Sequence, residues 1–392
     1  MQKLINLGCK LNQYEGYCLL EVFSDVEDLV IVNTCCVTRE AELNSHKKFR
    51  QALRKFPQAT IIATGCACRT DPDRYAKATY LIDNVDRNTT IKDILPRPDK
   101  TRYFLKIQDG CDMKCSYCIV AKVRSTVESK TIEEIEREVR WAISLNYKEI
   151  VLVGANIGLY GRDANTSLDE LLVALHKIPG CPRVRISSIE PFFITPRLVD
   201  TMRETSACRH FHIPIQSADN TILEKMNRSY DKEHLEKVIR LIKGKFQDVA
   251  IGADVIVGFP GEGEQEFRNT YEFIHEQPFT HVHVFPFSPR YGTDAFKLGD
   301  PVSKIEKKNR LWELKKLIGQ KNYEFRRQLI NKKFEVAVEY KNGHCLGLTD
   351  NYIKVHIDEQ CPKNELVEVM IDNVTEDITH AIPCTVKNQT IH

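Results

Sequence analysis

Cys111, Cys115 and Cys118 stand at spacings of four and three in the segment Cys111-Asp112-Met113-Lys114-Cys115-Ser116-Tyr117-Cys118. Thiolates are the ligands of soft metals and iron–sulfur clusters. A loop with this spacing can wrap three of them around one compact inorganic centre. Three ligands for a cube of four irons leave one iron free to take a substrate or cofactor, as the open position of a catalytic zinc site does. A zinc knuckle is the alternative, but it wants a fourth Cys or His close by. Between Cys118 and Cys181 the chain offers only His176, which favours iron–sulfur.

A second set lies upstream. Cys9 follows Leu7-Gly8, Cys35 or Cys36 follows the apolar run 30–33, and Cys66 or Cys68 follows the run 61–65. Each position is the C-terminal end of a predicted strand, the edge where parallel α/β sheets bind ligands. Three thiolates converging there could hold a second cluster, also with an open iron. Cys36 and Cys68 read as packing residues, since buried free cysteine is common in cores. Cys18, Cys181, Cys208, Cys345, Cys361 and Cys384 have no metal-like spacing.

The elements that must position these thiols follow from the wider pattern. A chain of 392 residues suggests two or three domains. Nine of its 14 cysteines fall in the first 118 residues. In a long chain with no visible secretory signal, that concentration points to metal binding rather than disulfides. No apolar run approaches the roughly 18 residues of a membrane span, so a soluble cytoplasmic protein is expected. Net charge is only +2, which excludes a uniformly basic coat, but the charge is segregated. Residues 97–130 carry +4 and 303–333 carry +8, whereas 131–302 carry −5 and 334–392 carry −6.

Strands at 29–33 and 60–64 flank a helix at 40–56, and Pro96-Arg97-Pro98 marks a boundary. Beyond it, strands at 103–108, 149–154, 183–188, 211–215, 251–258 and 281–287 alternate with helices, which implies about six βα units. That is too few for an eight-fold closed barrel, so the fold class is α/β with a partial, open barrel. A basic helix is expected over 303–333. Short strands separated by Asn342-Gly343, Asp350-Asn351 and Pro362-Lys363-Asn364 then predict a small β-barrel over 334–392.

The C-x3-C-x2-C loop after the first strand of such a barrel resembles the radical S-adenosylmethionine superfamily. Leu7-Gly8-Cys9-Lys10-Leu11-Asn12-Gln13, Asn33-Thr34-Cys35, Thr64-Gly65-Cys66 and the approach to Cys111 from Phe104 resemble its methylthiotransferases. The similarity spans nearly the whole chain. It implies an N-terminal cluster domain (1–98), a radical S-adenosylmethionine barrel (99–302), a linker helix (303–333) and a TRAM-like barrel (334–392). The stretch Val184-Arg185-Ile186-Ser187-Ser188-Ile189-Glu190-Pro191 is similar to the branch acting on N6-threonylcarbamoyladenosine of tRNA.

The resemblance implies roles for individual residues. Cys111, Cys115 and Cys118 would hold a 4Fe–4S cluster that binds S-adenosylmethionine, and Cys9, Cys35 and Cys66 an auxiliary 4Fe–4S cluster. Tyr117, Gly154, Asn156, Ser188, Glu190, Gln216, Arg228 and Asp254 would line the cofactor and nucleoside pocket. Arg124, Lys315, Lys316, Arg326 and Arg327 would contact RNA. No side chain need serve as general acid or base, because the reaction the resemblance implies is radical abstraction of hydrogen from adenine C2–H, followed by sulfur insertion and methyl transfer. The implied partners are a tRNA anticodon stem-loop and an electron donor such as flavodoxin or ferredoxin, with the protein itself a monomer.

Three other readings compete. The thiomethylated target could be an isopentenyl-type adenosine or a ribosomal-protein aspartate. A cobalamin-dependent radical methylase also carries an α/β domain before its barrel, but usually with Asp-x-His-x-x-Gly, whereas here the lone N-terminal histidine, His46, has Asn44 two residues before it. A zinc-stabilised, non-enzymatic RNA-binding module is the third.

Overall fold

The computed structural model describes residues 1–384, so residues 385–392 of the expected C-terminal barrel lie outside the described residues. The chain opens with a parallel sheet of β1 (Gln2–Asn6), β2 (Leu29–Thr34), β3 (Thr60–Gly65) and β4 (Tyr80–Ile82), in that spatial order. Helices α1 (Lys10–Val22), α2 (Arg39–Lys55), α3 (Cys66–Thr70) and α4 (Asn84–Thr90) each follow one strand. β2 is buried along its whole length, as a strand covered on both faces must be. The Thr38 hydroxyl accepts from Ala41 N at 3.1 Å to cap α2, and Glu40, Glu42, Arg54 and Lys55 oppose its dipole. Asn6, Asn33 and Thr64 are level across the sheet, so three adjacent strands release the chain at one edge.

Helix α1 was not anticipated from the sequence. Its buried face mixes Leu11, Tyr14, Cys18 and Leu19 with Asn12, Glu15 and Gly16, so polar residues interrupt the apolar stripe that periodicity would detect.

Next come β5 (Tyr103–Lys106), β6 (Gln108–Asp109), α5 (Val120–Val123), β7 (Glu128–Ser129), α6 (Ile132–Ser144), β8 (Glu149–Val153), α7 (Leu168–His176), β9 (Arg183–Ile186), α8 (Pro196–Glu204), β10 (His210–Gln216), α9 (Asn220–Lys225), α10 (Lys232–Lys245), β11 (Ala250–Val257), α11 (Glu264–Glu276), β12 (His281–Pro286) and α12 (Asp294–Lys297). Parallel sheets β5-β8-β9 and β10-β11-β12 meet through the bridges Val184↔Ala207 and Ser188↔His212. The result is a row of six parallel strands in an open barrel. Ile150 and Leu152 face the helices and join the main core, while Glu149 on the same strand faces Arg183 and Arg185. The expected strand 103–108 breaks at Ile107: β6 pairs antiparallel with β7 instead. That pair clamps the base of the cysteine loop.

α13 (Lys304–Arg327) buries Leu314, Leu317 and Ile318 in the barrel core, packing against β12. It therefore covers an edge strand rather than lying free in solvent. It ends at Arg327, short of the expected 333, where Asn331 takes a left-handed φ of 65° and donates its N–H to Ile371 O at 2.7 Å.

The closed C-terminal barrel runs β13-β14-β15-β17-β16, with β13 (Lys333–Lys341), β14 (His344–Thr349), β15 (Lys354–Ile357), β16 (Leu366–Val374) and β17 (Thr379–Pro383). It docks under the open barrel. Arg183 donates to Glu335 O at 2.7 Å and Leu348 O at 2.5 Å, and Arg185 donates to Thr349 O at 3.0 Å and Asp350 O at 2.9 Å. Both arginines also bind the buried Glu149 carboxylate. Burial pushes that carboxyl up, but the Arg185 and Arg183 guanidiniums outweigh it and hold it at about 2.

Candidate active site

The cysteine loop is fastened across the mouth of the open barrel. Cys111 N donates to Arg124 O at 3.0 Å, Ser116 N to Met226 O at 3.0 Å and Ser116 Oγ to Lys225 O at 2.7 Å. N–H donors reach all three sulfurs. Arg228 Nη1 lies 3.2 Å from Cys115 Sγ, Val120 N 3.4 Å from Cys118 Sγ and Asn156 Nδ2 3.9 Å from Cys111 Sγ. Burial pushes the Cys111 thiol up and Cys118 up to about 12, with the Met113 and Val120 N–H groups opposing. Soft thiols ringed by N–H donors suit a cluster, whose irons take thiolate ligands and whose sulfurs accept such hydrogen bonds.

The upstream cysteines converge as well. Cys9 is the N-cap of α1, while Cys35 and Cys66 follow β2 and β3 directly. The close approach depends on two glycines. Gly8 has φ 102°, and a Cβ there would stand 2.9 Å from Cys35 Sγ; Gly65 has φ 97°, and a Cβ there would stand 2.4 Å from Thr34 O. Burial raises the Cys35 thiol to about 11, and Cys66 and Cys9 both bear on it as neighbours; Cys9 is the exposed member of the set. Cys66 is held down by a hydrogen bond from the Cys36 thiol, against burial. Cys68 is enclosed, with its sulfur on Thr64 O at 3.4 Å. A soft donor set backed by Cβ-free glycines fits a second cluster.

One cavity of about 500 Å3 joins the two sets, with Cys9 on one wall and Cys111, Cys115 and Cys118 on another. Cys35 and Cys66 do not line it. Tyr117, Asn156, Ser188, Glu190, Gln216, Arg228 and Asp254 line it as the sequence suggested. A register shift between Ile213 and Gln216 puts Gln216 at φ 63°, and such a bulge re-aims a side chain. Arg228 pairs with Glu190 and donates to Pro214 O at 3.1 Å. Asp254 accepts from His212 Nε2 at 3.0 Å and lies 3.3 Å from His283 Nδ1. Burial, then His212 and His283, push His281 down to about 3, and burial likewise lowers His210. Lys10 bears on both rings and Arg185 on His210. His210 and His281 are therefore held as neutral rings by their burial.

Three expectations need correction. Gly154 does not line the cavity; its missing Cβ makes room for the Gln108 side chain, whose Oε1 would lie 2.8 Å from one. Arg124 is 6% exposed and locked between Glu15 and Asp109, so it cannot meet RNA. Arg326 is also 6% exposed, donating to Thr375 O at 3.0 Å and Thr379 Oγ1 at 3.1 Å. Lys315, Lys316 and Arg327 are exposed on α13. Sequence reasoning also missed Val37, Met113, Ile256 and Phe285 among the lining residues. Period-two alternation along β12 was the available signal for Phe285.

Two family models match the chain: the Radical SAM superfamily over residues 105–274 and Uncharacterized protein family UPF0004 over residues 2–85. The Threonylcarbamoyladenosine tRNA methylthiotransferase MtaB of Bacillus subtilis is 33% identical, covering 89% of this chain and 88% of its own. The chain belongs to the radical S-adenosylmethionine tRNA methylthiotransferases. The protein of the same name from Thermotoga maritima is 32% identical over 90% of each chain. A tRNA-2-methylthio-N(6)-dimethylallyladenosine synthase of Acetivibrio thermocellus is 31% identical over 86% of this chain and 80% of its own.

Among solved structures, the radical S-adenosylmethionine methyltransferase TsrM of Kitasatospora setae superposes with a TM-score of 0.54 at 13% identity, over 73% of this chain and 74% of its own. That likeness is one of fold alone. As a methylthiotransferase the protein is a transferase that uses S-adenosylmethionine and two 4Fe–4S clusters, which sets aside the non-enzymatic zinc module. No helix among the described residues is long and apolar enough to cross a membrane.

Proposed function

We propose that this methylthiotransferase converts N6-threonylcarbamoyladenosine beside the tRNA anticodon to its 2-methylthio derivative. Relatives named for the threonylcarbamoyl and the dimethylallyl substrates are almost equally similar, so identity does not choose between them. The supporting observation is the chemistry of the cavity wall. Ser188, Glu190, Gln216 and Asp254 present polar groups there. Glu190 and Asp254 are already engaged by Arg228 and His212, which leaves Gln216 to hydrogen-bond a threonylcarbamoyl substituent, where an isopentenyl chain offers it no partner.

Cys111, Cys115 and Cys118 hold the cluster that binds S-adenosylmethionine, and Cys9, Cys35 and Cys66 hold the auxiliary one. When bound, these groups supply the one-electron chemistry that breaks an aromatic C–H bond and delivers sulfur and a methyl group. Arg228, fixed by Glu190 and by Tyr230 Oη at 2.8 Å, orients the Cys115 sulfur. Val37, Ile119, Ile256 and Phe287 exclude water from the space between the two sets. Bases of an anticodon loop are already single-stranded, so extracting one is cheap. The electron comes from a carrier such as flavodoxin or ferredoxin.

Incubating the reconstituted enzyme with anticodon stem-loops bearing each substituent, and weighing the products, tests this reading. The threonylcarbamoyl RNA should gain a sulfur and a methyl group. Modification of the isopentenyl RNA alone, or of a ribosomal-protein aspartate, would overturn it.

Lys315, Lys316 and Arg327 form the exposed basic face of α13. Reversing all three charges should weaken tRNA binding and reduce the slope of log affinity against log salt by up to about 3, near one unit per lost phosphate contact. An unchanged slope in a salt titration removes this helix from the interface.

A further inference from the structure

The extracted base needs a surface to lie on, and we infer that Phe285 supplies it by stacking on the adenine ring of the RNA. β12 alternates: Val282 and Val284 pack into the outer core, while His281, His283 and Phe285 belong to the opposite face. Phe285 is 42% exposed, yet it lines the cavity that also carries Cys9 and the three loop cysteines. The other aromatic rings of this cavity are engaged. Tyr117 accepts from Arg228 Nη1 at 3.3 Å and meets Phe259 edge-on at 6.5 Å. Phe287 is 5% exposed and packs against Phe259 at 5.2 Å. Among the described residues, the one aromatic neighbour of Phe285 is His283, edge-on at 6.4 Å. A large apolar ring held open to water inside a reaction chamber fits a flat, apolar-faced ligand.

The position on β12 favours the RNA base over the cofactor. Just beyond Phe285, Ser288 Oγ accepts from Arg39 N at 3.1 Å and Arg290 pairs with Glu42 at 3.0 Å. The ring thus borders the junction with the N-terminal sheet, on the Cys9 side. The proposed cofactor contacts Asn156, Ser188 and Glu190 follow β8 and β9 instead. This inference rests on the proposed adenosine target but not on which N6 substituent it bears, because stacking reads the ring.

S-adenosylmethionine also carries an adenine, so the test has two arms. In the first, Phe285→Ala should raise KM for a substrate stem-loop about 5- to 150-fold, the range for one base lost from an aromatic ring, and Phe285→Trp should restore it. The affinity for S-adenosylmethionine in the absence of RNA should stay within about twofold. In the second arm, a stem-loop with 2-aminopurine at the target nucleotide should be quenched by Phe285→Trp and not by the parent protein, which reports ring-on-ring contact directly. An unchanged KM in Phe285→Ala, a loss confined to S-adenosylmethionine affinity, or no added quenching by the tryptophan would overturn the assignment. Failure of the threonylcarbamoyl reading would appear instead as wild-type enzyme modifying only another RNA, on which the same two arms still run.

Discussion

Replacing Cys115 with alanine should abolish turnover, with a fall of at least about a thousandfold, and should remove about half of the iron and sulfide. Two 4Fe–4S clusters correspond to about eight irons per chain, and loss of one leaves about four. The expectation rests on geometry: Cys115 shares a wall with Cys111 and Cys118 and receives the Arg228 guanidinium at 3.2 Å. Cys66→Ala should cost the same iron by emptying the other set, yet leave reductive cleavage of S-adenosylmethionine in place. The comparison thereby separates the two sets. Cys208→Ala, 2% exposed and remote from the cavity lining, should leave the iron count unchanged. Anaerobic iron and sulfide analysis with a cleavage assay checks all three. Full iron content or retained methylthiolation in Cys115→Ala would sink the ligand assignment.

The second large effect lies in the wall between the two sets of cysteines. Glu15 is 0% exposed and accepts from Arg124 at 2.6 Å, Arg87 at 2.5 Å and Lys106 at 3.0 Å. Arg124 and Lys106 then bind Asp109, at 2.8 and 2.6 Å, immediately before the cysteine loop. Arg87 also donates to Asn33 Oδ1 at 3.1 Å, at the end of the strand that carries Cys35. Removing one charge from such a network leaves the others buried without a partner. Glu15→Gln should therefore cost about 3–5 kcal/mol and lower the thermal midpoint by about 4–6 °C.

The same network sets an acid limit. Burial pushes the Glu15 carboxyl up, but Arg124, Arg87 and Lys106 outweigh it and hold it at about 2, against an ordinary 4.5. A depressed carboxylate stabilises the fold fully above its unfolded pKa, so this contribution is lost as pH falls from about 4.5 towards 2. It amounts to about 3 kcal/mol. Asp109 is depressed in the same direction by Lys106 and Arg124. Urea midpoints measured from pH 7 down to pH 3 should fall steeply in the parent and more shallowly in Glu15→Gln. Parallel curves would show that Glu15 is not the group responsible.

Much of this was legible in the chain because it is local. The loop cysteines lie within eight consecutive residues, and a strand followed by a thiol is visible wherever an apolar run ends. The six βα units were legible for the same reason, since the 2.0 and 3.6 periodicities are written into short windows. Helix α1 escaped because Asn12, Glu15 and Gly16 interrupt its buried apolar positions, and polar residues are buried only where distant partners satisfy them.

By itself, then, the sequence determined the donor chemistry, the number of barrel units and the basic excess of α13. Tertiary structure decided which side chains are available. Arg124 and Glu15 are 109 residues apart, and no local window reveals that they neutralise each other and withdraw Arg124 from any RNA surface. Arg326 is likewise claimed by carbonyls of the C-terminal barrel, and Gly154 by Gln108. The openness of Phe285 emerges only once β12 takes its place at the edge of the row and the N-terminal sheet closes one side of the chamber. The physical reason is common to all four: burial and pairing are properties of the folded neighbourhood, set by chain segments far apart in sequence.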